Sequence, residues 1–79
     1  MIDRIQEKKV IGIKQCKKSI LNGEGKILYI ADDADKKLTS PLISVAEQKS
    51  VPVTVIDTMQ KLGKMCSIDV KAAAALILK

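Results

Sequence analysis

The densest concentration of residues able to do chemistry is the segment Gly12-Ile13-Lys14-Gln15-Cys16-Lys17-Lys18. If a helix begins near Ile13, its first backbone N–H groups have no partner inside the helix. Its positive dipole end then points outward beside Lys14, an arrangement that attracts anions. Gly12, lacking a Cβ, lets another backbone approach closely. Side chains three and four apart share a helix face, so Lys14, Gln15 and Lys18 form one polar ridge. A lysine can donate to guanine O6 and N7, and a glutamine amide both donates and accepts, so the ridge suits base edges as well as phosphates. A solvated helix face that is simply rich in lysine is the ordinary alternative.

A second group lies near the other end of the chain, where Ile68-Asp69-Val70 sets two aliphatics around an acid in an expected loop. Such a loop could lay an apolar surface against a nucleobase or ribose, with Lys64 just upstream reaching a phosphate; packing against helix ends is the alternative. Asp32, Asp33 and Asp35 follow a strand-like run, the position at which response-regulator receivers hold magnesium with paired acids. A receiver needs a longer chain and a larger sheet, so these acids read instead as turn and helix-capping residues.

The chain has no histidine, and Cys16 and Cys66 form no C-x-x-C pair. That removes the usual zinc sets and the usual acid/base catalyst. No nucleophile with a base beside it and no glycine-rich cofactor loop is visible, so neither catalysis nor a cofactor is expected. Tyr29 is the only aromatic residue. Without a platform for stacking splayed bases, single-strand binding of the RNA-recognition-motif, cold-shock or OB type is disfavoured. Any RNA bound here must be read by shape, phosphates and hydrogen bonds.

Positioning these groups falls to a small molecule. At 79 residues the chain is expected to be one domain, 1–79, and with 47% apolar and 29% charged residues it belongs to the globular class. The formal charge of +5 is uneven: residues 1–26 carry seven basic against three acidic residues, 27–50 three against four, and 51–79 four against two. A surplus at both ends favours a polyanionic partner, although a lysine-rich solvated surface would look the same. No apolar run is long enough for a membrane span, and the first ten residues alternate charge with aliphatics. A soluble, cytoplasmic protein with reduced, buried thiols is expected.

The pattern of apolar residues supplies the elements. Ile2 and Ile5, with Asp3 as a cap, suggest a short helix over residues 2–9, and Val10-Ile11 is a strand stub. Ile13, Cys16, Ile20 and Leu21 fall at helical spacing, with Asn22-Gly23 as the stop. The run KILYIA, 26–31, reads as a strand covered on both faces. Ser40 is a good N-cap with Pro41 at the first helical position, and Leu42, Val45 and Ala46 continue that helix. VPVTVI, 51–56, reads as a second buried strand, and Asp57 with Gln60 as a capping box for a helix through Met65 with Met59 and Leu62 inside. The alanine-rich KAAAALILK, 71–79, could be helix or strand; a strand is preferred because the sheet needs more partners. The expected fold is α/β, a three-layer α/β/α sandwich with a four-stranded mixed sheet.

Together these pieces resemble a known pattern. G-x-K-Q-x-x-K opening a helix, a strand ending in A-x-D-A-D, L-G-K before a loop, then I-D-V and an alanine-rich last strand are similar to the ribosomal protein family that binds kink-turn RNA, the L-seven-Ae and L-thirty-e type, in its small bacterial form. The similarity runs over about residues 3–78. It implies a cytoplasmic, non-enzymatic protein, expected to be a monomer, docked on a sharp RNA bend containing sheared G·A pairs, with ribosomal or riboswitch RNA as candidate partners. By the resemblance, Gly12, Lys14, Gln15 and Lys18 would sit in the RNA major groove at those pairs. The loop residues Ile68, Asp69 and Val70 would close over the bend. Lys14-Gln15 stands where archaeal and eukaryotic relatives have Asn-Glu. Lys36, Ser67 and Lys71 stand where proline, glycine and a small residue are common.

Two other classes of function remain open to the residues. One is an interaction or regulatory module that binds an acidic protein surface, which charge alone does not separate from RNA binding. The other is part of an enzyme: a phosphoacceptor built on Asp32 and Asp33, or the RNA-grasping domain of an RNA-modifying enzyme.

Overall fold

The computed structural model describes residues 8–68 and 70–79. The helix expected over residues 2–9 falls almost wholly outside the described residues, and residue 9 instead opens the first strand. The elements run β1 (Lys9–Ile11), α1 (Ile13–Leu21), β2 (Gly25–Ala31), α2 (Lys36–Gln48), β3 (Val53–Ile56), α3 (Met59–Met65) and β4 (Ala74–Leu78). They build a four-stranded mixed sheet in the order β1-β4-β2-β3. β4 is antiparallel to both neighbours, pairing Val10 with Leu76 on one side and Leu28 with Leu76 on the other. β2 and β3 are parallel, as a βαβ crossover through α2 requires. The alanine-rich segment is thus a central strand.

Alternation along the strands divides the interior in two. Leu28 and Ile30 of β2 and Ala74 and Leu76 of β4 join Cys16 and Ile20 of α1 and Leu42 and Ala46 of α2 in one core. Ala31 and Ala75 join Leu62 and Cys66 in the other, with Tyr29 and Met59 packed at its edge. Two helices cover one face and α3 covers the other, the three-layer arrangement expected. The two layers differ in composition: the α3 side is walled by the small residues Ala31, Ala34, Ala72 and Ala75.

α1 ends as Asn22-Gly23 suggests. Gly23 takes φ +76, its N–H donates to the Ile20 carbonyl and the Glu24 N–H to the Ser19 carbonyl, a Schellman closure. Three other expectations need correction. α2 begins at Lys36, well before Ser40. Its N-cap is Asp35, whose Oδ1 accepts the Lys37 N–H at 2.9 Å, and Pro41 lies inside the helix. Ser40 and Pro41 have the chemistry of a helix start, but Asp35 closes an earlier one. The added turn packs Thr39 beside Leu42 and Ala46, although its hydroxyl finds no hydrogen-bond partner among the described residues. Pro41 leaves only the carbonyl of exposed Lys37 without its helical partner, which water can serve. α3 is capped by Thr58, whose Oγ1 accepts the Lys61 N–H at 3.0 Å, one residue after the expected Asp57. β3 is an edge strand with Thr54 and Val55 exposed, not a buried one.

The position of the α2 cap can be checked by thermal denaturation. Asp35→Ala should cost about 1 kcal/mol and lower Tm by about 4–8 °C. Ser40→Ala should leave Tm nearly unchanged, the opposite of what a helix starting at Pro41 requires.

Candidate functional site

The antiparallel placement of β4 decides which loops meet. β1, β2 and β3 end at the same edge of the sheet at which β4 begins. Ile11 pairs with Ala75, the Gly12 N–H donates to the Ala74 carbonyl at 3.0 Å and the Ala31 N–H to the Ala73 carbonyl at 3.0 Å. The Asp32 N–H donates to the Ile56 carbonyl at 2.7 Å, and the Ala72 N–H to the Met59 carbonyl at 3.1 Å. The start of α1, the turn 32–35, the start of α3 and the loop 66–73 therefore share one end of the molecule.

Gly12 makes the whole turn from β1 into α1. Its φ of +105 is a conformation that side chains disfavour, although a Cβ there would meet open space. No side chain caps α1 and no acid stands in its first turn, so the leading N–H groups face outward with their positive partial charge. Cys16 and Ile20 are fully buried, and Lys14, Gln15 and Lys18 stand exposed on the outside, with Lys17 beside them. The ridge has the orientation that its spacing implied.

The other half is built from the end of α3. The Ser67 N–H donates to the Lys64 carbonyl and the Ile68 N–H to the Gly63 carbonyl, with Ser67 at φ +61. This left-handed closure explains why glycine suits that position. Gly63 is buried against the loop, and a Cβ there would run into the Val70 carbonyl oxygen. Lys64 is exposed and Val70 is 69% exposed, whereas Ile68 is half-buried. Ile68 packs on the Leu62, Cys66 and Ala72 cluster, as does Ile11 just before Gly12. That shared cluster joins the two halves. Asp69 lies outside the described residues. A depression of about 630 Å³ opens between Gln60, Lys64, Ile68, Val70 and Lys71. Gln60 had suggested a cap and Lys71 had drawn no functional reading; their part in a common wall depends on the fold of the loop.

The acids at this end are engaged in structure. Asp33 Oδ1 accepts the Met59 N–H at 2.7 Å, which ties the β2–α2 turn to α3, and Asp35 caps α2. Lys36 Nζ donates to Asp32 Oδ1 at 3.1 Å and to the Asp32 carbonyl at 2.7 Å. Among the described residues no group of three or more His, Cys, Asp or Glu could hold a metal ion. The thiols are buried and free. Burial, with Cys66 nearby, pushes the Cys16 thiol up to about 12; burial also raises Cys66, against a lowering by Lys9. Thiolates are the nucleophilic form, so neither residue is poised to react at neutral pH. No described helix is long and apolar enough to cross a membrane.

Comparison with known proteins adds to this geometry. The model of the "Ribosomal protein L7Ae/L30e/S12e/Gadd45 family" matches residues 3–79. The chain is 40% identical over 75 residues to an RNA-binding protein of Caldanaerobacter subterraneus, covering 95% of this chain and 92% of that one. It is 43% identical over 70 residues to RNA-binding protein YbxF of Geobacillus stearothermophilus, covering 89% and 85%. The solved structure of the Giardia lamblia 15.5kD RNA binding protein superposes with a TM-score of 0.85 at 29% identity, over 90% of this chain and 60% of that one.

Two outcomes follow from the packing. Gly63→Ala should destabilise the protein by about 1–3 kcal/mol in denaturant unfolding, because the loop backbone must move to admit a methyl group. Cys16 stays protonated in the folded state to a higher pH than in the unfolded chain. Its contribution is therefore complete below about pH 9 and is lost as pH rises toward about 12. Stability should fall between about pH 9 and pH 11, and Cys16→Ala should flatten that fall relative to the parent protein.

Proposed function

Because the chain belongs to the ribosomal protein L7Ae/L30e/S12e/Gadd45 family, we propose that it is a non-enzymatic RNA-binding protein that recognises kink-turn RNA through the start of α1 and the neighbouring loop 66–71. The RNA-binding relatives support the RNA; the geometry supports the mode. The observation that carries the reading is that a glycine-opened, uncapped helix start with Lys14, Gln15 and Lys18 exposed lies at the same end of the sheet as exposed Lys64 and Val70.

The chemistry of a sheared G·A pair matches that ridge. Opening the major groove at a sharp bend exposes guanine O6 and N7 as acceptors, which Lys14 or Lys18 can serve, while the Gln15 amide donates and accepts at the same edge. The outward N–H groups of α1 add a site for a phosphate. Across the bend, Val70 offers an apolar surface for an unstacked base or ribose, Asp69 precedes it in sequence, and Lys64 contributes charge. Ile68 serves this site mainly from below, as the residue that holds the loop on the α3 core. With a single tyrosine, half-buried in β2, stacking has no part. On this reading the molecule works as one domain and one copy, on a structured cytoplasmic RNA of ribosomal or riboswitch type.

Titration onto a kink-turn duplex, and onto the same duplex with its G·A pairs changed to Watson–Crick pairs, tests the reading. The kinked RNA should bind more tightly at both low and moderate salt. Lys18→Ala should weaken that binding by about 1–3 kcal/mol and reduce the preference. Equal binding of the two duplexes, with a steep salt dependence, would leave only general polyanion affinity.

A further inference from the structure

Beyond the ridge and the loop, the outer face of α3 carries a feature that kink recognition uses only at one end. The depression beside Val70 adjoins a second one of about 270 Å³, lined by Thr58, Gln60, Lys61 and Lys64. The two share Gln60 and Lys64, so they adjoin along the helix from Val70 and Lys71 to Thr58. Lys61 and Lys64 are three apart, about 4.5 Å along the helix axis, and so stand on one side of it. Both are exposed, while Leu62 and Gly63 between them are buried.

We propose that the groove along Gln60, Lys61, Lys64 and Lys71 is a track for the phosphate backbone of an RNA stem that runs on beyond the kink. The proposal rests on the kink-turn reading and extends it. Three lysines line the groove and no described carboxylate does. The nearest acid in contact, Asp57, approaches Lys61 only at 3.8 Å, with its own side chain 86% exposed. Such a pair is screened and gives way readily to a phosphate. Small-molecule sites are enclosed and mainly apolar. This groove is open and edged by amine and amide groups, the chemistry of a sugar–phosphate chain. Its apolar end, Ile68 and Val70, coincides with the loop that the kink reading sets against the bend, so a stem leaving the bend has the groove in its path.

The test uses kink-turn RNAs in which each stem in turn is either long or cut back to the base pairs next to the bend. It compares Lys61→Ala, Lys18→Ala and Lys49→Ala in the whole protein. Lys49 follows α2 at the opposite end of the sheet and so matches the charge change at a distance. Lys61→Ala retains the backbone N–H that Thr58 accepts, so the fold should hold, as circular dichroism would verify. On an RNA with the relevant stem long, Lys61→Ala should bind more weakly than Lys49→Ala, with a salt slope reduced by about 1. The deficit should narrow by about three- to fourfold between about 50 and 200 mM salt, and should vanish on the shortened RNA. If Lys61→Ala matches Lys49→Ala on every RNA while Lys18→Ala remains impaired, the groove is overturned and the kink reading stands. If Lys18→Ala is also unimpaired and the Watson–Crick duplex binds equally well, the kink reading falls and the groove with it.

Discussion

The structure depends on one strand having two partners. Ala74–Leu78 hydrogen-bonds to β1 on one side and β2 on the other, so a single five-residue segment joins the start of the described chain to the βαβ unit. Its composition follows from that position. A central strand is covered on both faces, and on the α3 face Ala75 is fully buried beside Leu62 and Cys66, where a close-packed core leaves no room for a larger side chain. The same direction reversal sets the start of β4 against the ends of the other three strands. The end of the molecule proposed to bind RNA is thus a product of sheet topology, and the loops there are anchored through backbone hydrogen bonds to residues 72–74.

Anchoring matters because lysine side chains are poorly ordered on their own. A ridge proposed to read base edges must have its Cα positions fixed even if the amines move, since rotamer entropy is lost on contact in any case. α1 is fixed at its first residue by Gly12, which bonds both to β4 and forward into the helix. The loop is fixed differently, by a left-handed closure at Ser67 and by the contact of Gly63 with the Val70 carbonyl. Two glycines thus serve opposite needs. Gly12 supplies a backbone angle where space is free, and Gly63 supplies space where the helix could accept any residue.

Much of this was legible in the amino-acid sequence. α1, its face and its stop follow from the spacing of Ile13, Cys16 and Ile20 and from Asn22-Gly23, because a helix that packs on one side and ends in a glycine closure writes both features locally. The mixed sheet and the strand character of the alanine-rich segment follow from counting the partners that a sheet requires. The starts of α2 and α3 were misread for one reason: several residues in a row could cap. Asp35 and Ser40 are both good N-caps, and the helix starts at the earlier one, where Asp35 Oδ1 takes the Lys37 N–H. Likewise Asp57 and Thr58 compete, and Asp33, far away in sequence, takes the Met59 N–H. The basic groove on α3 was not legible, because it depends on where the loop after α3 folds back.

The placement of the acids resolves an apparent conflict at the functional end. Asp32, Asp33 and Asp35 lie at the same end of the sheet as the ridge, and three carboxylates there would repel a polyanion if their fields were open. Each instead faces positive partial or full charge at short range: Asp35 and Asp33 accept the first N–H groups of α2 and α3, and Asp32 pairs with Lys36. An opposite charge or partial charge at hydrogen-bond distance offsets part of a carboxylate's field, and physiological salt screens the rest over about 8 Å. Lys14, Lys18, Lys64 and Lys71 have no such pairing among the described residues. Among the described residues the cationic groups are therefore less offset by their neighbours than the acids are. The acids determine the turns that hold those groups in place, and they do so without cancelling them.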